Sequence, residues 1–133
     1  MSDKQCPICT NKVDHRRRCC SHHCDSELRY RKYISEWLSG EQTGIKGFGV
    51  STYIRRWMVE QYGEQCSKCG WSEINKNTQR IPVQVNHIDG NWKNNNPNNL
   101  EFLCPNCHSL TPNFGGANRG NGRKERKNIQ DYL

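Results

Sequence analysis

Nine cysteines and a spaced set of histidines and asparagines carry the chemistry of this 133-residue chain. Cys66-Ser-Lys-Cys69 and Cys104-Pro-Asn-Cys107 are two C-x-x-C knuckles. Tetrahedral Zn²⁺ takes close pairs of thiolates from two turns, so these four residues predict one structural zinc site. His87 is followed by Asn99 twelve positions on and by His108 nine further. A neutral imidazole accepts a proton from water near physiological pH and also ligates divalent metals. The reading is a zinc-stapled hairpin that carries a histidine pair.

A second set lies near the start. Cys6, Cys9, Cys20 and Cys24 read C-x2-C-x10-C-x3-C and predict a second four-thiolate zinc site. Cys19 is the odd residue, turned away by one backbone step. His22 or His23 in place of one cysteine stays open at this level.

The elements that must position these groups follow from periodicity. Residues 25–39 predict an amphipathic helix with Tyr30, Tyr33, Ile34, Trp37 and Leu38 on one stripe, Asp25 or Ser26 at its start and Gly40 past its end. Residues 40–50 are glycine-rich and read as a linker. A second helix runs from near Ser51 to Gly63, lined by Ile54, Trp57, Met58 and Tyr62. Pro82 to Ile88 alternates as a half-buried strand, with Val83, Val85 and Ile88 as apolar contacts. Asp89-Gly90-Asn91 marks a turn, and residues 91–98 hold five asparagines suited to irregular backbone. Leu100 to Leu103 predicts the return strand, and a short helix bearing His108 ends before Thr111-Pro112.

With Val85-Asn86-His87-Ile88, Pro97-Asn98-Asn99-Leu100 and Leu103-Cys104-Pro-Asn-Cys107-His108 in place, the stretch from about Ser51 to Gly115 resembles the HNH nucleases. The resemblance implies a small α+β, zinc-stapled fold: a ββα-metal (His-Me) finger with a four-cysteine zinc site, here preceded by a small zinc-finger module and helix. It implies His87 as general base, Asn99 as a structural residue bonding across the loop, and His108 as a metal ligand. The position before the base usually holds an acid or a histidine that ligates the catalytic metal; here it is Asn86, which brings an amide oxygen and no charge. Asp89 is near enough in sequence to add one. The implied catalytic cation is one divalent ion, commonly Mg²⁺, with Mn²⁺, Ni²⁺ or Zn²⁺ in some members. The implied activity is hydrolysis of DNA phosphodiester bonds, giving 5′-phosphate and 3′-hydroxyl ends. Small size, basic arms and an added zinc module resemble phage or mobile-element enzymes, homing endonucleases among them. A non-catalytic double zinc-finger DNA-binding protein is the alternative, for which Asn86 speaks.

Composition supports metal staples. Only 32% of residues are hydrophobic and the mean hydropathy is −1.05, a lean basis for a core. Paired knuckles and an opening without an apolar signal segment favour zinc over a secreted disulfide framework, and a cytoplasmic setting. No apolar run approaches membrane-spanning length. The formal charge of +7 falls by eight for ionised cysteines and rises by four for two zinc ions, leaving +3, so the distribution of charge matters more than its sum. Candidate DNA contacts are Arg16, Arg17, Arg18, Arg29, Arg31 and Lys32 on the first module, Arg55 and Arg56 on the second helix, and Arg119, Arg123, Lys124, Arg126 and Lys127 on a glycine-rich tail over 116–133. The organisation expected is a zinc module with helix over 1–39, a linker over 40–50, a nuclease domain over 51–115 and the tail.

Overall fold

The structure is a computed structural model that describes residues 4–47 and 49–114. The basic tail, with Arg119, Arg123, Lys124, Arg126 and Lys127, lies outside the described residues. The chain divides between Gln42 and Thr43 into two compact units.

In the first unit the cysteines replace a conventional core. Cys6, Cys19 and Cys24 are buried, and Ile8, Val13, Cys20 and Leu28 pack against them. The Cys6 amide donates to the Asn11 carbonyl and the Thr10 amide to the Cys6 carbonyl, closing the first knuckle. Helix α1 spans His22–Leu38 and starts three residues earlier than the periodicity suggests. Its cap is Ser21, whose side chain accepts from the Cys24 amide. Asp25 is therefore inside the first turn, where its charge suits the helix dipole and pairs with Arg18 and Arg29. Tyr30, Ile34 and Trp37 are buried, whereas Leu38, expected on the stripe, is 51% exposed at the helix end.

The 40–50 stretch is not a featureless linker. Strands β1 (Ile45–Lys46) and β2 (Gly49–Val50) pair antiparallel. Gly44 and Gly47 take positive φ at 78° and 61°, which lets the chain turn this tightly. Helix α2 (Thr52–Tyr62) follows, capped by the Ser51 side chain on the Tyr53 amide and stopped at Gly63 with φ of 75°. Ile54 and Met58 are fully buried, while Tyr62 is half exposed and packs edge-on against Trp57.

The centre of the second unit is an antiparallel hairpin. Strand β3 (Gln84–His87) pairs with β4 (Leu100–Leu103) in the register Gln84↔Leu103, Val85↔Phe102, Asn86↔Glu101 and His87↔Leu100. Strand β3 is shorter than the alternation suggested, because Pro82 has no amide to donate and the Val83 amide turns back to the Ile81 carbonyl. Ile88 falls beyond the pairing and is 51% exposed, correcting its expected apolar contact. Side chains alternate across the pleat. Val85 and His87, with Phe102 and Leu100 opposite, share one face; Gln84 and Asn86, with Leu103 and Glu101 opposite, share the other. On the first face the Arg55 guanidinium of α2 lies 5.1 Å from the Phe102 ring centre and donates to the Val83 carbonyl. On the second, Leu103 is buried with Cys66 and Cys104, and Trp71 and Cys107 cover them. Helix α3 (Pro105–Ser109) leaves β4 directly, its cap the Cys104 thiol, which accepts from the Cys107 amide.

Candidate active site and cysteine clusters

Both cysteine sets converge. The sulfurs of Cys6, Cys9, Cys20 and Cys24 lie within 4.8 Å of one another, as do those of Cys66, Cys69, Cys104 and Cys107. A tetrahedral zinc with Zn–S bonds of about 2.3 Å sets sulfurs about 3.8 Å apart. The Cys9–Cys20, Cys20–Cys24 and Cys69–Cys104 sulfur separations are 3.3, 3.6 and 3.7 Å. Cys19 is buried but outside the ligand set, and His22 and His23 are exposed and outside it too.

Electrostatics point the same way. Backbone amides of Cys20 and Cys9 lower the Cys6 thiol to about 6. Burial pushes the Cys66 thiol up, yet the amides of Cys104, Cys69 and Lys68 bring it to about 6. Cys107 is driven the other way, to about 12, chiefly by the Cys104 thiol and then by burial and by Cys66 and Cys69. In each cluster backbone amides hold one thiol low, while Cys9 and Cys24 in the first unit and Cys69 and Cys107 in the second lie above the usual value. Two four-cysteine sets positioned to hold zinc are the result.

The histidine pair is held by side-chain amides. His87, last in β3, has Nε2 2.6 Å from Oδ1 of Asn95, a residue only 3% exposed. An amide oxygen only accepts, so Nε2 is the donor and, in the neutral ring, Nδ1 carries the lone pair. His108 Nδ1 lies 2.6 Å from Oε1 of Gln84, which by the same logic makes Nδ1 the donor and, in the neutral ring, leaves the lone pair on Nε2. Phe114 packs edge-on against the His108 ring, with centroids 5.6 Å apart. Asn86 is buried and donates from Nδ2 to Glu101 Oε1 at 3.1 Å, so its Oδ1 remains the atom that can face a cation.

Asn99 clamps the loop that follows His87. Its Oδ1 accepts from the Asp89 amide at 3.0 Å, and its Nδ2 donates to Asp89 Oδ1 at 2.9 Å and to the Asn94 carbonyl at 2.8 Å. Its carbonyl accepts from the Ile88 amide. Asp89 is thereby occupied in the loop. Burial alone would raise its carboxyl, but hydrogen bonds from Asn94, the Asn91 amide and Asn99 hold it below the usual value. The asparagine run has a local cause as well. Asn91, Asn94 and Asn96 each accept from the amide two residues on, stringing side-chain turns together.

The basic residues divide. Arg18 and Arg29 pair with Asp25, Arg31 with Glu27, Lys32 with Glu36 and Arg56 with Glu60. Arg55 pairs with Glu64 and spans to Val83, a cementing role within the unit. Arg16 and Arg17 are exposed, and their guanidinium groups pair with no carboxylate among the described residues, although the Arg16 amide donates to Asp14 Oδ1. No helix among the described residues is long and apolar enough to cross a membrane.

Asn95, Gln84 and Glu101 were missed in the sequence. Gln84 and Glu101 follow once the hairpin register is known, since one sits two residues from Asn86 and the other opposite it. Asn95 gave no signal, because any of five neighbouring asparagines fits a polar loop.

No protein-family model matches the chain, and no solved structure matches it. Against curated proteins it is similar to the H-N-H endonuclease F-TflIV of Escherichia phage T5, with 34% identity over 96 residues, 68% of this chain. The chain spans 40% of the length of that phage protein, and the match places its likeness among HNH endonucleases.

Proposed function

We propose that this chain is a metal-dependent HNH endonuclease that hydrolyses phosphodiester bonds of DNA, mainly duplex. The observation that carries the reading is His87 at the end of a cysteine-stapled hairpin, its Nε2 tied to a buried Asn95 and its Nδ1 left as a base. Similarity to a phage endonuclease over much of the chain supports it.

In this reading His87 Nδ1 takes the proton from the attacking water. Asn99 keeps the 88–99 loop in one conformation, and Asn95 keeps the imidazole in one tautomer and one orientation, which matters because a small misplacement of a base costs much rate. Asn86 Oδ1 and His108 Nε2 are the protein atoms that hold the catalytic divalent ion, Mg²⁺ first and Mn²⁺, Ni²⁺ or Zn²⁺ as substitutes. When bound, that ion neutralises phosphate charge and stabilises the leaving 3′ oxygen. Cys66, Cys69, Cys104 and Cys107 hold one structural zinc, and Cys6, Cys9, Cys20 and Cys24 another. Arg16 and Arg17 of the first unit contact DNA phosphates, so that unit serves targeting while the second cuts.

One observation favours a second reading. Asn86 carries no charge and its amide is engaged by Glu101, as in a protein that binds DNA through its zinc modules without cutting it. The test is zinc-loaded protein on supercoiled plasmid with Mg²⁺, Mn²⁺, Ni²⁺ and Co²⁺ in turn. Nicked or linear product with 5′-phosphate ends is expected, stopped by chelation of the added ion. DNA binding without product in any of the four gives the second reading its place.

A further inference from the structure

A hard divalent cation held only by an amide oxygen and an imidazole has no anionic ligand, and such ions favour carboxylate oxygen. The nuclease reading therefore leaves a charge to be found. Asp89 lies beyond the paired strand, off the face that carries Asn86, and its carboxylate is turned into the loop by Asn91, Asn94 and Asn99. The carboxylate nearest to Asn86 is across the hairpin. Glu101 is the antiparallel partner of Asn86, so both side chains leave the sheet on one face. Gln84 is on that face as well, and it is the residue that bonds His108. Glu101 Oε1 accepts from Asn86 Nδ2 at 3.1 Å, and Oε2 accepts from Ser67 Oγ at 3.2 Å. Ser67 belongs to the Cys66–Cys69 knuckle, and its amide donates to the Phe102 carbonyl, so the staple itself braces this carboxylate.

We propose that Glu101 supplies the negative charge of the catalytic cation's site, taking over from β4 the part that an acid preceding His87 would play on β3. Each Glu101 oxygen accepts one hydrogen bond among the described residues and so retains a lone pair. The hydrogen bond from Asn86 fixes which end of that amide faces outward, so the neutral residue and the displaced acid form one unit. Asn86 and Glu101 thus divide what one aspartate does alone: oxygen ligation from one strand, charge from the other.

This inference rests on the nuclease reading, and its test separates the two. Mn²⁺ binding to the full-length, zinc-loaded chain is followed by the EPR signal of the free ion, with no DNA present. Glu101→Gln is isosteric and keeps an oxygen for Asn86, so it removes charge and little else. It is expected to weaken Mn²⁺ binding about tenfold or more, with zinc content and melting temperature unchanged. Adding Asn86→Asp to Glu101→Gln returns a carboxylate to the same face and is expected to recover most of the affinity. Wild-type affinity in Glu101→Gln overturns the proposal. If Glu101→Gln loses zinc or melts early, the double variant decides: recovery supports the proposal, and no recovery in a folded double variant overturns it. A wild type that neither binds Mn²⁺ nor cuts DNA removes the nuclease reading and this proposal with it; a wild type that cuts, beside an unaffected Glu101→Gln, removes this proposal alone.

Discussion

The two units use the same device for different ends. Each gathers four cysteines from two close pairs, and in each the last pair leads into a helix. In the first unit that helix has 17 residues, and its acids neutralise much of its own basic surface through Asp25, Glu27 and Glu36. In the second it has five residues, just enough to present His108 to Gln84 of the neighbouring strand. In the proposed reading the staple is a scaffold in both, and the chemistry belongs to the hairpin that carries the imidazoles. A cysteine cluster by itself therefore says little about function, and the strand between its two halves says most.

Breaking the staples should separate these roles most sharply. Cys104→Ser should release one of two zinc ions and abolish cleavage, because Cys104 both completes a cluster and caps the helix bearing His108. Cys6→Ser should also release one zinc, yet leave metal-dependent nicking of plasmid measurable while weakening DNA affinity. Zinc analysis with a nicking assay on both variants reads the contrast; equal loss of nicking would erase it.

The loop clamp comes next. Asn99→Ala removes three side-chain hydrogen bonds and leaves Asp89 without one of its donors. With about 1 kcal/mol for each hydrogen bond, the second unit should lose roughly 2–3 kcal/mol by denaturant titration, and cleavage should fall with it. Asn95→Ala should cost less stability but at least about tenfold in single-turnover rate, since it frees the His87 ring. Unchanged rates in Asn95→Ala would remove the assigned tautomer from the mechanism.

The smallest effects belong to the arginines. Arg16→Ala with Arg17→Ala should leave melting unaltered and reduce the salt slope of DNA binding by roughly two, about one for each phosphate no longer neutralised. Arg55→Ala should do the reverse, lowering stability by about 1 kcal/mol through its Phe102 and Val83 interactions with little change in salt slope.

Much of the site was readable before the fold. The knuckle spacings specified both cysteine sets, because soft-metal ligation tolerates few geometries, and the strand Leu100 to Leu103 was bounded by Asn99 and Cys104. What escaped has physical causes. Ser21 outcompeted Asp25 as cap because the cluster already fixes Cys24 in the first turn. Glycines read as a linker are also what a tight hairpin needs, and the 44–50 stretch took the second option. Asn95 and Glu101 gain their meaning from partners 8 and 15 residues away in sequence, which periodicity does not encode.

The decisive comparison is wild type against His87→Ala, with single-turnover cleavage, zinc content and DNA affinity measured on the same preparations. The imidazole as base predicts a rate loss of about 10²–10⁴-fold with zinc content and DNA affinity unchanged. Cleavage by His87→Ala at the wild-type rate would contradict it outright.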